Sequence, residues 1–393
     1  MTDAPHDSTT RDLKRLVLLL QVTSAVGSMN YGVMFTMLDD FRDKLHVTEA
    51  QLGLVVGAGF ISSFIANVLV APLADKGHAK RLVQLGLVMQ LTGALTMGFG
   101  GSFGLLFLGR FLGGFGGGAA GPAIKRIIIV SNPGEVGHNL GRIVAADVLG
   151  FSVGPLVSAL LVGSFGIPAP FLVVVAIVVP SYVLLTRRRI PEVAEANAPT
   201  QKFAFDLLRI RAVAGVTVMG TALMIMIGTF DSLWSIMMKD LRAATWIASV
   251  GITVFALPMV VLAPIGGRLT QKHGPFLAMI LGFTSGAVFM VLYGTLPSPY
   301  LMLAVGCLHG LVDGLTITGG SSALALVVPV ERLASAQGVY SGVQILAGGV
   351  AASVAGATYE HIGRGAFVST AAVMMVFLVV GAWLAKDHLR TKG

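Results

Sequence analysis

The chain of 393 residues carries little charge and has almost no cysteine. Only 12% of its residues are Asp, Glu, Lys or Arg, and Cys307 is its one cysteine. Soluble domains carry about 25% charged residues, so the composition excludes an ordinary water-soluble protein of this length. A single cysteine excludes an internal disulfide. The sequence also lacks a metal-ligand cluster, a cofactor motif and a nucleophile arrangement, and we therefore expect no metal, no cofactor and no enzymatic activity.

Apolar residues make up 55% of the chain, and glycine occurs 50 times. About 20 apolar residues suffice for a helix to cross a bilayer. Runs of this length predict an all-α membrane protein with twelve transmembrane helices in two pseudo-symmetric six-helix bundles. The predicted spans are 16–38, 49–72, 82–100, 104–131, 140–162, 168–186, 212–238, 246–266, 276–296, 300–328, 335–359 and 365–385.

The loops between these spans differ strongly in basic residues. One side of the membrane would hold nineteen Lys and Arg residues, including Arg187, Arg188 and Arg189, and the other only five. Basic residues mark the cytoplasmic side, so we expect both termini to be cytoplasmic and the protein to reside in the cytoplasmic (inner) cell membrane. This topology also accounts for the net charge of +8, and we expect no nucleic-acid partner.

The longest hydrophilic stretch divides the chain into two halves. We predict an N-terminal bundle at 1–186, a cytoplasmic linker at 187–211 and a C-terminal bundle at 212–393. The halves repeat a short pattern, because Ala71-Pro72-Leu73 recurs as Ala263-Pro264-Ile265. The second copy has Gly267 where the first has Asp75. Two repeated bundles with a site near mid-membrane are typical of secondary transporters.

The loop after span two reads APLADKGHAKRL, from Ala71 to Leu82. It resembles the loop signature of the major facilitator superfamily, although Ala71 stands where that pattern usually has glycine. The resemblance implies that the loop's aspartate caps a helix of the second half and supports one conformational state. The residues that match this conformational-switch motif are Pro72, Asp75, Gly77 and Arg81.

Two further stretches extend the resemblance. Gly150, Gly154 and Pro155 in span five are similar to a motif of the drug:proton antiporters of this superfamily, but Ser158 and Ala159 replace its later glycines. Arg110 in span four resembles the family's buried arginine, which implies an influence on proton release from a carboxylate. The open alternative for Arg110 is an interfacial arginine whose head reaches outward.

The glycine-rich stretch GRFLGGFGGGAAGP, residues 109–122, lies inside an apolar span. A phosphate-binding loop needs a strand before it and a solvated helix start after it. Small residues let membrane helices approach closely, so this stretch predicts helix packing.

Charged residues within spans are costly and usually face a partner or a cavity. Asp147 in span five lies at the depth of Lys125 and Arg126 in span four, which predicts a structural ion pair among these three residues; the alternative for Asp147 is a proton site. Asp231 in span seven and Asp313 in span ten have no obvious partner, and desolvation favours the neutral form of a carboxyl group. We predict proton coupling at Asp231, Asp313 and His309, which is one turn before Asp313. Alternatively, Asp231 is interfacial and His309 and Asp313 are a buried pair without a transport role.

Spans one, four, seven and ten line the cavity in the resembled family. This implies substrate contact for the polar side chains Asn30 and Tyr31 of span one. Phe35 and Phe230, on spans one and seven, would supply an adaptable apolar wall of the same substrate-binding site.

Together these features predict a secondary active transporter that works by alternating access, with proton-coupled efflux of a small amphiphilic compound or drug as its activity. We expect a small-molecule substrate, protons as the coupling ion, a lipid bilayer around the chain and a monomeric state. A metabolite importer or facilitator of the same fold is the first alternative, and a membrane sensor or enzyme is the second.

Overall fold

The computed structural model describes residues 4–190 and 204–391, and every regular element in these residues is helical. The predicted all-α fold class is thereby confirmed. The α-helices are α1 Ala4–Thr36, α2 Leu38–Leu45, α3 Glu49–Leu69, α4 Ala79–Phe99, α5 Phe103–Ser131, α6 Val136–Phe165, α7 Pro168–Arg187, α8 Arg211–Asp240, α9 Thr245–His273, α10 Pro275–Thr295, α11 Pro299–Thr316, α12 Gly319–Val327, α13 Leu333–Ile362 and α14 Gly365–Leu384.

Within the described residues, eleven segments are long and apolar enough to cross a membrane. They coincide with eleven of the twelve predicted spans. The remaining predicted span, 246–266, falls within α9, a 29-residue helix in which several side chains between 245 and 254 lie outside the described part. The side chain of Phe35 and residues 191–203 of the predicted linker also lie outside it.

The chain divides into two compact units. The first comprises Met1–Gly134, Ala146–Lys202 and Val330–Gly338, and the second comprises Glu135–Ala145, Phe203–Pro329 and Val339–Gly393. This division differs from the predicted halves in two segments. The start of α6 is counted with the second unit, and the start of α13 is counted with the first.

Glycine pairs set the helix spacing in the first unit. A Cβ atom on Gly86 of α4 would lie 2.6 Å from the carbonyl oxygen of Gly116 of α5, and one on Gly93 would lie 2.7 Å from that of Gly109. These distances leave no room for side chains. The glycine-rich stretch of α5 therefore packs closely against α4, as the sequence predicts.

Span ten is broken in the second unit. Helix α11 ends at Thr316 and α12 begins at Gly319, with Ile317 and Thr318 between them. A Cβ atom on Gly319 would lie 2.8 Å from the Met279 side chain of α10. The break comes one turn after Asp313, and interrupted helices of this kind mark binding sites in many transporters.

Candidate functional site

His309 and Asp313 form a buried pair on α11. Their side chains are 1% and 4% exposed, and His309 Nε2 lies 3.5 Å from Asp313 Oδ2. This separation exceeds the usual hydrogen-bond range of about 2.7–3.2 Å, and neither atom has a hydrogen-bond partner among the described residues. No lysine or arginine of the described chain pairs with Asp313. A movement of a few tenths of an ångström would bring His309 Nε2 and Asp313 Oδ2 within hydrogen-bond distance, at which a proton can pass between them.

Aromatic rings surround His309. The ring of Phe289 lies 4.7 Å from the imidazole by centroid distance, and that of Phe255 lies 5.0 Å away. The Tyr293 hydroxyl is 3.2 Å from His309 Nδ1. This contact holds the imidazole ring with its Nε2 edge toward Asp313.

The structure brings Phe230 to this aromatic cluster but leaves Asp231 outside it. Phe230 is 4% exposed, and its ring lies 5.3 Å from those of Tyr293 and Phe255. Asp231 is exposed and forms no hydrogen bond or ion pair within the described residues. Phe230 thus belongs to the aromatic cluster around His309. Asp231 and Asp313, the two predicted proton carriers, do not contact each other.

Close helix contacts fix the position of Asp313. A Cβ atom on Gly310 would lie 3.0 Å from the Phe255 carbonyl carbon of α9, and one on Gly314 would lie 2.9 Å from the Leu262 side chain. These two glycines flank Asp313 on α11. The α9–α11 contact therefore fixes the segment of α11 that carries Asp313.

A second polar cluster lies in the first unit at Arg110. Arg110 is 6% exposed, and its guanidinium carbon lies 4.2 Å from the centroid of the Tyr31 ring. Asn30, 7% exposed, precedes Tyr31 on α1, and its Oδ1 has no hydrogen-bond partner in the described part of the chain. Arg110 is buried, which excludes the interfacial alternative in which its head is exposed. No acidic side chain of the described residues pairs with it.

Asp75 caps the start of α13. Its carboxylate accepts hydrogen bonds from the backbone N–H groups of Ala334 at 2.9 Å and Ser335 at 2.7 Å, and from the Ser335 hydroxyl at 2.6 Å. Arg126 Nε completes the set at 2.9 Å from Asp75 Oδ1. The carboxylate satisfies helix N–H groups that have no partner inside the helix. It does so while buried beside a cation.

The other matching residues of this loop have different environments. Pro72 is buried and Arg81 is exposed. Gly77 adopts a φ of +77° where the chain turns between α3 and α4. This is a conformation that glycine takes without steric cost.

The predicted ion pair among Asp147, Lys125 and Arg126 is wrong for Arg126, which has a different partner. Arg126 pairs with Asp75, whereas Lys125 interacts electrostatically with Asp147. Consecutive residues on a helix point about 100° apart, so the two cations face different neighbours. Asp147 also accepts hydrogen bonds from Ser24 Oγ at 2.5 Å and Ser28 Oγ at 3.3 Å.

The span-five motif packs against α1. A Cβ atom on Gly154 would lie 2.6 Å from the Val33 backbone nitrogen, and one on Gly150 would lie 2.7 Å from the Ala25 carbonyl carbon. Pro155 Cδ lies 3.1 Å from the Cβ position of Gly32. The motif residues therefore form a close helix crossing on α1, the helix that carries Asn30 and Tyr31.

In the second copy of the loop pattern, a neutral side chain caps a helix in place of a carboxylate. Gln271 Oε1 accepts a hydrogen bond from the Gly137 N–H at 3.0 Å, at the start of α6. A side chain at Gly267, the position equivalent to Asp75, would collide with Gly137. The start of α6 occupies that space, which explains why this copy has glycine there and a neutral cap one turn later.

An apolar groove of about 520 Å³ lies in the second unit among α8, α13 and α14. Val350, Val354 and Phe377 are among its apolar residues, and Thr229 and Thr370 contribute hydroxyls. Its size is within the range of small-molecule sites. None of Asn30, Tyr31 and Phe230 lines it.

Comparison with known proteins identifies the family. A family model described as Major Facilitator Superfamily matches residues 17–239 and 216–393. The chain belongs to the Major Facilitator Superfamily. Membership makes it a multi-pass membrane transporter for small molecules, and such proteins are generally not enzymes.

Individual relatives of this superfamily are distant. The chain is 23% identical to "Multidrug resistance protein 2" of Bacillus subtilis over 75% of this chain and 76% of that protein. It is 26% identical to "Quinolone resistance protein NorA" of Staphylococcus aureus over 32% of this chain and 33% of that protein. Among solved structures, the Escherichia coli fucose:proton symporter matches with a TM-score of 0.78 at 15% identity, covering 94% of this chain and 98% of that one. The last likeness concerns the fold alone.

Several residues at these clusters were not predicted from the sequence. Tyr293, Ser24 and Ser335 each donate to or contact a charged or titratable side chain. The signal for Ser24 and Ser28 was a pair of serines one turn apart in an apolar span. Tyr293 had no signal, because a tyrosine near the end of a span is usually interfacial.

Proposed function

We propose that this transporter exports small amphiphilic compounds in exchange for protons, by alternating access. The observation that carries the proposal is the buried His309–Asp313 pair, which has no cation beside it among the described residues. A carboxylate at such a site is costly, by at least about 2.5 kcal/mol on insertion scales. Protonation removes that cost, so Asp313 binds and releases a proton as its surroundings change.

The relatives support the export direction. Two proteins to which the chain is similar are named for multidrug and quinolone resistance. The apolar groove with scattered hydroxyls is compatible with amphiphilic compounds. Phe230 contributes to substrate binding indirectly in this proposal, as part of the aromatic cluster around His309.

The proposal assigns Asp313 the central role and His309 the role of proton exchange partner. Asp231 is a second proton carrier in it, since this exposed carboxylate lies within a predicted membrane span. The Asp75 cap and the Gly150–Gly154 crossing serve the conformational switch. The protein acts as a monomer in the inner cell membrane, with both termini cytoplasmic.

Proton movement in proteoliposomes tests this function. Purified protein would be reconstituted with a pH-sensitive dye inside, and cationic, neutral and anionic amphiphiles would be added under an imposed proton gradient. We expect substrate-dependent proton movement opposite to the compound. Asp313→Asn should abolish it, while Asp43→Asn, which changes an exposed aspartate, should not. Unchanged proton movement in Asp313→Asn would refute the proton assignment.

Import with protons is the second candidate. The observation that favours it is the fold likeness to a fucose:proton symporter. The same liposomes separate the two directions. Proton movement in the same direction as the compound would establish symport and exclude exchange.

A further inference from the structure

Arg110 is a buried cation without a counter-ion. It is 6% exposed, its Nε has no hydrogen-bond partner, and no carboxylate of the described residues pairs with it. Its guanidinium packs against the backbone of α3, because a Cβ atom on Gly59 would lie 2.6 Å from Nη2. The glycine therefore makes room for the charged group inside the unit.

The contact with Tyr31 does not balance this charge. A cation over an aromatic ring gains much less free energy from that contact than an ion loses when it is removed from water. The other buried cation pairs of this unit show the usual solution. Arg126 has Asp75, and Lys125 has Asp147. Arg110 alone of these three cations has no acidic partner within the described chain.

Two amide side chains with unpartnered oxygens lie along the contact of α1 and α4 with α5, within two helical turns of the Arg110 position on α5. Asn30 Nδ2 lies 3.5 Å from the Cβ position of Gly113, which is three residues after Arg110 on α5. Gln90 Nε2 lies 2.7 Å from the Cβ position of Gly27, one turn before Asn30. The side-chain oxygens of Asn30 and Gln90 have no hydrogen-bond partner in the described residues. Buried side-chain oxygens without a hydrogen-bond partner are rare, and both of these oxygens can accept a hydrogen bond from a donor on a bound compound.

We propose that Arg110, with Asn30 and Tyr31 beside it, binds a carboxylate or another oxyanion of the transported compound. The guanidinium supplies paired N–H donors that match a planar carboxylate, and the amide and the phenol supply polar contacts for its neighbouring atoms. The substrate is then an amphiphilic acid. This inference rests on the proposed transport function and specifies the substrate class of the same protein.

The test uses three probes that share a naphthalene ring and differ in the charge of the polar group: naphthalene-2-carboxylate (anionic), naphthalene-2-carboxamide (neutral) and 2-naphthylmethylamine (cationic). Binding to the full-length protein in lipid nanodiscs would be measured by calorimetry, without a proton gradient. We expect the carboxylate to bind at least about tenfold more tightly than the other two, a difference of 1.4 kcal/mol or more. Equal binding of the three probes, or no binding of the carboxylate, would overturn the proposal.

Variants separate the subsite from general damage to the fold. Arg110→Gln should remove the preference for the carboxylate, and Arg110→Lys should keep part of it, since a point charge remains without the paired donors. Arg15→Gln, at an exposed arginine of α1, should keep the full preference. If Arg110→Gln fails to fold, the result for Arg110→Lys decides. A preference that persists unchanged in Arg110→Gln, or is identical in wild type and Arg110→Lys, would refute the role of this side chain.

Asp313→Asn distinguishes this inference from the proposed proton coupling. The variant should keep the preference for naphthalene-2-carboxylate over the other two probes and lose substrate-dependent proton movement, because coupling shifts the affinity for all three compounds together. Wild-type proton movement in Asp313→Asn with an intact carboxylate preference would refute the coupling scheme alone. If the wild-type protein bound all three probes equally and still showed substrate-dependent proton movement, the oxyanion subsite alone would be refuted.

Discussion

The carboxylate of Asp75 accepts two hydrogen bonds from Ser335, one from its backbone N–H and one from its hydroxyl. Arg126 and the Ala334 N–H complete its coordination. Asp75 is 3% exposed and Arg126 is 2% exposed. This buried charge pair therefore depends on an intact hydrogen-bond set, and removing either member leaves the other uncompensated.

Asp75→Asn should destabilise the protein strongly. Breaking a buried ion pair by removing one member costs about 3–5 kcal/mol, which denaturant titration in detergent would measure as a lower free energy of unfolding. Arg126→Met should cost a similar amount, and the double variant should cost less than the sum of the two.

The control for this variant is Asp12→Asn. Asp12 pairs with Arg188 at 3.0 Å, but both side chains are partly exposed, and such pairs contribute about 0–1 kcal/mol. If Asp75→Asn cost no more than Asp12→Asn, the cap would have no structural importance.

Gly77→Ala should destabilise the same loop modestly. Gly77 has a φ of +77°, and a residue with a Cβ atom pays about 1–2 kcal/mol in this conformation. The free energy of unfolding should fall by that amount. Gly117→Ala is the control, because nothing lies within 4 Å of its Cβ position on α5. Equal stability of the two variants would contradict the requirement for glycine at this turn.

The sequence was sufficient to predict the helices, because a membrane requires long apolar runs and the runs are visible in the sequence. It also identified the loop around Asp75 by its local pattern. The partner of Arg126 could not be predicted in the same way. Depth in the membrane places Lys125 and Arg126 together, but the turn of the helix sends one to Asp147 and the other to Asp75.

The clusters themselves required the tertiary structure. His309 and Asp313 are one turn apart on one helix, so their proximity follows from helical spacing. Tyr293 and Gln90 come from other helices, and their contacts depend on how those helices pack. Residues without charge in apolar spans carry no local signal of such contacts.

Gly154→Ala should weaken the α1–α6 crossing. The new Cβ atom would lie 2.6 Å from the Val33 nitrogen and 2.7 Å from the Met29 carbonyl oxygen. Backbone atoms cannot yield as side chains do, and overpacking costs about 1–3 kcal/mol. Thermal unfolding should therefore occur at a lower temperature. Gly163→Ala in the same helix, with nothing within 4 Å, should unfold at the wild-type temperature or slightly above it.

Tyr293→Phe tests whether the orientation of His309 matters for proton movement. The change removes the hydroxyl that lies 3.2 Å from His309 Nδ1 and keeps the ring that packs on Phe230. A lost hydrogen bond is worth about 1 kcal/mol, so substrate-dependent proton movement in proteoliposomes should slow by about fivefold. Tyr300→Phe, at a tyrosine that is 64% exposed, should keep the wild-type rate. A wild-type rate in Tyr293→Phe would mean that the imidazole needs no orienting partner, and the proposed proton exchange between His309 and Asp313 would lose its geometric basis.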